Sequence, residues 1–431
     1  MTDHLPQDAL PSMDRLTQDL VETWQSCEPT LPHLGPTYSS KEQAARERHL
    51  RSFVDEAINH LRHAPGSQGE RDDLQRRMAE GFAELGRQAL GMTEEQIACL
   101  LTGGMLEIGP AFCRAARAFD PQIGGAEIYQ ALRNVWAMNG LQVLMGLPVA
   151  LTPSAFAYSM LYPYTDNYLD DPAIAPEEKR VFDQRLALRL QGQEIAPLNA
   201  HEGRIYALVG LIEGDHERAR RPQVYDGLLA IHRAQGKSLR LLAPEAAPYE
   251  VDVLGIALEK GGASVVADGL LVAGALPPEQ ARFLFGWGAI LQLLDDLQDV
   301  EQDRRTGLLT IFSQAAGRWP LDRLTNRTLR LMGCVMEGLS AFDAPGAAPI
   351  KELMADSARR LLLQAVAAAH RRYPRRYLLT LQAHAPFRYA AMRRVQRRLA
   401  RERLSLARMV EHYADAPGPL PTFLGEQGTG A

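Results

Sequence analysis

The chain has 431 residues, of which 46% are hydrophobic and 23% charged, and its formal net charge is −5. This composition excludes a chain that is disordered overall, and a charge so near balance argues against nucleic acid as a partner. The cysteines are scattered and form no C-x-x-C pair, so neither a zinc site nor a disulfide framework is indicated. We expect a cytoplasmic protein, with no signal peptide and no integral membrane segment.

Residues 1–40 are rich in Pro, Ser and Thr, and we expect them to wrap the surface or stay loose. From Lys41 onward, apolar residues recur at spacings of three and four, which predicts helices, and Thr93 is a candidate N-cap. Later helices are predicted at 203–218, 222–242, 250–275, 278–303, 320–341, 348–372 and 386–413. The fold class is therefore all-α: one large helical bundle over 41–415, with about 80 extra helical residues at its start, and a disordered tail over 416–431.

An acidic segment, LLDDLQDVEQD, follows directly on the apolar run FLFGWGAILQ. On a helix, residues four apart share a face, which aligns Asp295, Asp299 and Asp303 in one stripe with Asp296 beside it. Buried carboxylates need a neutralising partner, and hard oxygen ligands without His or Cys favour Mg²⁺. A solvated acidic face is the alternative interpretation, against which the apolar run upstream argues.

A second segment, LYPYTDNYLDDP, also turns from apolar to acidic. Asp166 and Asp170 lie four residues apart, Asp171 adjoins them, and Pro172 should end the helix. If the two acidic helix ends face each other across a bundle, they form a carboxylate-rimmed cavity with apolar walls. Mg²⁺ usually keeps coordination positions for substrate phosphates, so the implied ligand is a diphosphate with an apolar tail.

These two segments resemble the aspartate-rich motifs of class I isoprenoid synthases: trans-prenyltransferases, squalene and phytoene synthases, and terpene synthases. LLDDLQDVEQD is similar to the second D-D-x-x-D motif of polyprenyl diphosphate synthases and also matches the spacing of the terpene cyclase metal triad. DNYLDD is a looser match to the first motif. The resemblance covers about residues 130–310 and implies an isoprenoid synthase fold, three Mg²⁺ ions, a prenyl diphosphate substrate and a possible homodimer.

Basic residues should approach the diphosphate from the wall opposite the metal ions. Arg233, Lys237 and Arg240 occupy one helical face, for which an exposed basic surface is the alternative interpretation. Lys260 precedes a Gly pair, at a point where the resemblance implies a helix break that lets the backbone reach the diphosphate. The remaining residues that the resemblance assigns to diphosphate are Arg304, Arg305, Arg388 and Tyr389.

Aromatic side chains could line the apolar cavity and stabilise a carbocation through their π faces, and the candidates are Phe156, Tyr162 and Trp287. The chain lacks the early G-K-x-R-P segment of chain-elongating prenyltransferases and an Arg pair after the first motif. The resemblance therefore favours a terpene synthase, or a coupling enzyme of the squalene or phytoene type, over a chain-elongating enzyme. Elongation or coupling of prenyl chains remains open, as does a non-catalytic homologue. A di-iron bundle is a rival because of one E-x-x-H, Glu213 and His216, but a second is missing.

Overall fold

The structure is a computed structural model that describes residues 10–63, 65–171, 173–242 and 250–425, apart from the side chain of Asp170. Most of the described residues are helical and none of them lies in a strand, which confirms the all-α prediction. The helices are α1 Met13–Ser26, α2 Ser40–Arg62, α3 Gln68–Leu85, α4 Glu94–Leu101, α5 Met105–Phe119, α6 Gly125–Leu144, α7 Pro153–Asp170, α8 Pro176–Leu190, α9 Ala200–Asp215, α10 Pro222–Ser238, α11 Val253–Ala273, α12 Pro278–Gln298, α13 Val300–Thr306, α14 Ile311–Ala315, α15 Asp322–Glu337, α16 Ala348–Ala368, α17 Arg375–Ala383, α18 Tyr389–Arg401, α19 Arg403–Ala414 and α20 Thr422–Gly425.

The chain divides into two compact units. Unit 1 comprises Met1–Glu47 and Asp226–Arg394, and unit 2 comprises Arg48–Tyr225 and Val395–Ala431. The domain boundaries expected from the sequence, including the disordered tail, stay predictions.

In unit 1 the central feature is the antiparallel pair α11 and α12, whose connection spans four residues. Helices α14, α15 and α16 pack against α12, and α1 packs against α11 and α15. Residues 1–40, which were expected to wrap the surface or stay loose, contain α1, in which Leu16 and Trp24 are buried. Its apolar residues at 16, 20 and 24 repeat every four positions, a helical signal in a segment whose prolines and serines suggested a loop.

Unit 2 is built around α5, α6, α7, α9 and α19. The predicted cap at Thr93 is confirmed: its hydroxyl accepts a hydrogen bond from the Gln96 N–H at 3.2 Å, and the Gln96 side chain accepts one from the Thr93 N–H at 3.1 Å. Residues 94–119 are the single described segment long and apolar enough for a membrane span, and the helix there is broken at Gly103 and Gly104. One such segment is weak evidence for a span and is consistent with the expected absence of integral membrane segments.

Candidate functional site

The acidic segment at the end of α12 enters the core of unit 1. Leu293 and Leu297 are fully buried, so this part of the helix lies in the core. Asp296 and Asp303 are only 5% and 6% exposed, whereas Asp295 is exposed. The segment is therefore not a fully solvated acidic face.

The predicted single stripe of aspartates is interrupted at Asp299. Helix α12 ends at Gln298, and Asp299 has φ −96° and ψ 11° before α13 begins. The backbone still bonds across this point, because the Asp299 N–H donates to the Asp295 carbonyl at 2.9 Å and the Asp303 N–H donates to the Asp299 carbonyl at 3.0 Å. The i, i+4 hydrogen bonds continue, but the backbone dihedrals of Asp299 interrupt the helix at a point that periodicity did not predict.

Burial makes the negative charge of Asp296 unfavourable and raises its pKa from 3.8 to about 7. The Asp295 and Asp303 carboxylates raise this pKa further, while a hydrogen bond from the Gln292 amide to Oδ1 at 2.8 Å and the charge of Lys260 oppose the shift. The other oxygen, Oδ2, is buried and has no hydrogen-bond partner among the described residues. The burial of this Asp296 oxygen is thus not compensated by a hydrogen bond.

Asp303 shows the same effect more weakly. Burial, followed by the charges of Asp299 and Asp295, raises its pKa from 3.8 to about 6. The carboxylates therefore act on one another, and a cation among them would relieve the repulsion. Within the part of the chain that the structure describes, no group of three or more His, Cys, Asp or Glu side chains is arranged to hold a metal ion.

Lys260 lies half-buried on α11, close enough to Asp296 for its charge to lower that pKa. The helix break implied near this lysine is absent, because α11 runs unbroken from Val253 to Ala273. The glycines that suggested a break instead allow close packing: a Cβ on Gly261 would lie 2.4 Å from the carbonyl oxygen of Gly288 on α12. This approach brings Lys260 towards the acidic segment.

Lys237 is already engaged by carboxylates. Its ammonium donates to both oxygens of Glu259, at 2.7 and 2.8 Å, and to Asp14 of α1 at 3.4 Å. Because Glu259 is only 7% exposed, the lysine neutralises a buried charge. Arg233, predicted to share its face, is exposed. The predicted diphosphate role of Lys237 thus competes with a structural one.

The arginines after the acidic segment are exposed on α13. Arg304 approaches Glu301 at 3.9 Å, and Arg305 donates to the Glu301 carbonyl at 3.3 Å. Arg372, which the sequence did not single out, pairs with the two Glu301 oxygens at 2.6 and 2.7 Å. Nothing local in the sequence indicates this partner, since it lies 71 residues away.

Arg388 directly precedes α18, which begins at Tyr389, and both side chains already have partners in the packed protein. The Arg388 guanidinium pairs with both carboxylate oxygens of Glu47, which is 5% exposed. The backbone N–H of Arg388 donates to the same carboxylate at 2.9 Å. Tyr389 is buried, which raises the pKa of its phenol. A diphosphate at this pair would have to displace Glu47.

The first acidic segment lies in unit 2, and α7 ends at Asp170 as the following proline predicts. Asp166 is half-buried and accepts a hydrogen bond from the Thr165 hydroxyl at 3.3 Å. Asp171 is exposed and accepts from the Ala173 N–H at 2.8 Å. The side chain of Asp170 and the whole of Pro172 lie outside the described residues. The metal role of this segment stays a prediction.

The predicted cavity aromatics differ in burial. Phe156 is fully buried and packs against Phe112 and Phe423, each with ring centroids 5.6 Å away, so it belongs to the core of unit 2. Tyr162 and Trp287 are half-buried and keep an accessible surface. An apolar cavity of about 490 Å³ does lie within unit 2, between α2, α3, α5, α6 and α19, and its lining includes none of these three residues.

Glu213, the acid of the rival E-x-x-H, is held between two guanidinium groups. Arg189 donates to it at 2.7 Å, and Arg218 donates through Nε at 2.9 Å and through Nη2 at 2.7 Å. These ion pairs lower the pKa of Glu213 and use the oxygens that a metal would need. The arrangement gives a structural reason for this glutamate.

No family model, curated protein or solved structure matches this chain. The likeness to isoprenoid synthases therefore rests on the aspartate motifs themselves.

Proposed function

We propose that this chain is a class I terpene synthase-like enzyme, which ionises a prenyl diphosphate with Mg²⁺, releases diphosphate, and lets the carbocation cyclise or be quenched. The observation that supports the proposal is the acidic cluster after α12. Two of its carboxylates are buried, and their pKa values are raised by burial and by neighbouring carboxylates of the cluster. Such a cluster opposes folding in its charged form, and a bound cation would turn it into a favourable feature.

The residues of the cluster fit Mg²⁺ by their chemistry. The donors are carboxylates without His or Cys, and the unpartnered oxygen of Asp296 points to a missing electrostatic partner. Asp295, Asp299 and Asp303 would hold the ion together with Asp296. When bound, Mg²⁺ supplies Lewis-acid stabilisation of the leaving diphosphate. The metal roles of Asp166, Asp170 and Asp171 come from the sequence alone.

The surrounding side chains have distinct proposed roles. Lys260, at the edge of the cluster, donates hydrogen bonds to the diphosphate, and exposed Arg304 and Arg305 can turn towards it without abandoning a buried carboxylate. Lys237 contributes less, because moving it away from Glu259 would leave the buried carboxylate of that residue without its ion-pair partner. Buried leucines of α12 keep water from the acidic segment.

The test is diphosphate release from geranyl, farnesyl, geranylgeranyl and longer prenyl diphosphates, with Mg²⁺ or with EDTA. We expect release with one chain length, abolished by EDTA, and lowered at least about 100-fold in Asp299→Asn. Asp343→Asn, an exposed carboxylate of the same unit, is the matched control and should retain activity. Far-ultraviolet circular dichroism establishes that each variant is folded.

The products separate this proposal from its alternatives. Cyclic or hydroxylated hydrocarbons in the organic extract support a terpene synthase. Release that requires added isopentenyl diphosphate, or a coupled hydrocarbon of doubled length, indicates a prenyl-transferring enzyme instead. If no substrate is consumed and calorimetry detects no binding of Mg²⁺ with inorganic diphosphate, the enzymatic proposal is wrong and a non-catalytic homologue is the better description.

A further inference from the structure

Two cysteines that are 307 positions apart in the sequence come together in unit 1. Cys27 caps the C-terminus of α1 and is buried, whereas Cys334 is exposed on α15. Both line one surface cavity of about 650 Å³. The spacing of the cysteines in the sequence gives no indication of this, because the pairing depends on how α1 packs on α15.

Contacts on both sides of Cys27 hold the end of α1 against α15. The Arg327 guanidinium lies 5.0 Å over the ring of Trp24, three residues before the cysteine. Three residues after it, Thr30 accepts hydrogen bonds from Arg330 at its carbonyl, 3.1 Å, and at its hydroxyl, 2.8 Å. These contacts fix the segment across the same helical face that carries Cys334 one turn further on.

The Cys334 thiol lies close enough to Cys27 to act on it. Burial, and then this neighbouring thiol, raise the pKa of Cys27. The nearby guanidinium groups of Arg327 and Arg330 act in the opposite direction and favour the thiolate. One thiol is thus accessible to reagents, and the other is sheltered but within reach of the first.

We propose that Cys27 and Cys334 form a reversible intramolecular disulfide that ties α1 to α15. The oxidant is a small disulfide such as oxidised glutathione. The exposed Cys334 thiolate attacks one sulfur of the reagent, the reagent S–S bond breaks, and one glutathione thiolate leaves with its electron pair. Cys27 then loses its proton to solvent, attacks the Cys334 sulfur and expels the second half of the reagent. Two protein thiols are oxidised, and one oxidised glutathione becomes two reduced molecules.

The proposed disulfide would affect the whole of α1. The opposite end of α1 carries Asp14, which contacts Lys237 and through it the buried Glu259 of α11. Fixing the C-terminal end of α1 would slow its detachment from α11 and α15, and hydrogen exchange in residues 13–26 should slow on oxidation. The inference stands whether or not the chain is an enzyme, because none of its evidence uses the acidic cluster.

The experiment treats the folded full-length protein with oxidised glutathione, blocks free thiols with N-ethylmaleimide and maps peptides by mass spectrometry without reduction. Wild type should yield a peptide pair linked through Cys27 and Cys334, and dithiothreitol should remove the link. Cys99→Ser is the matched control, since this half-buried cysteine belongs to unit 2, and it should form the link as wild type does. Cys334→Ser should form none.

Cys27→Ser tests whether Cys27 is the thiol that displaces glutathione from Cys334. Without the second thiol, Cys334 should retain glutathione as a mixed disulfide that is at least tenfold longer-lived than in wild type. The proposal is overturned if the mixed disulfide persists equally in both proteins, or if the linked peptides appear only after urea is added.

Discussion

Replacing Gly261 by alanine tests whether α11 and α12 touch through their backbones. The added Cβ would lie 2.4 Å from the Gly288 carbonyl oxygen and 2.6 Å from the Gln292 Cβ. Ordinary contacts of this kind are about 3.5 Å or longer, so the helices must separate by about 1 Å. No rotamer change can relieve a clash with backbone, and overpacking typically costs 1–3 kcal/mol. The clash with backbone places this variant at the upper end of that range, and better helix propensity returns about 1 kcal/mol, so we expect a net loss of about 2 kcal/mol.

Urea unfolding followed by circular dichroism and tryptophan fluorescence measures this loss. Gly333→Ala is the control, because a Cβ there meets nothing within 4 Å on α15. That variant should be stabilised by about 0.5–1 kcal/mol through helix propensity alone. If Gly261→Ala were neutral or as stabilised as Gly333→Ala, the close approach of the two helices would be refuted, and so would the reason given for the glycines beside Lys260.

Three further predictions concern charge and packing. In EDTA, wild type should lose up to about 4 kcal/mol of stability as pH rises from about 4 to about 7, at about 1.4 kcal/mol per pH unit, because the folded pKa of Asp296 lies above its ordinary 3.8. Asp296→Asn should lose less stability, keeping only the contribution of Asp303, whose folded pKa is raised to about 6. Urea midpoints at about pH 5 and about pH 8 compare the two proteins, and an equal loss in both would contradict the assignment. Lys237→Met should cost roughly 2 kcal/mol, less than a fully buried pair because the lysine is part-exposed, and adding Glu259→Gln should restore most of it in a double-mutant cycle. Phe156→Ala should destabilise by about 3–5 kcal/mol in the same assay, whereas a cost below about 1 kcal/mol would place the ring outside the core.

The sequence by itself determined the all-α fold class, several helix ends and the position at which acidic residues enter the core. These features are local: apolar residues at spacings of three and four select a helix, a Thr followed by a Gln at the third position caps one, and a proline ends α7. The position of the acidic run directly after an apolar one was also sufficient to predict partly buried carboxylates, which Asp296 and Asp303 confirm.

The tertiary structure decided which of these groups have partners. Periodicity treats Asp295 and Asp296 as near equivalents, yet only packing leaves one exposed and buries the other. Likewise, Lys237 forms an ion pair with Glu259, and Arg388 forms one with Glu47. Neither acidic partner could be predicted from the sequence around the basic residue. The physical reason is that burial and ion pairing depend on segments that are distant along the chain and meet only when the helices pack, whereas the signals in a sequence extend over a few turns.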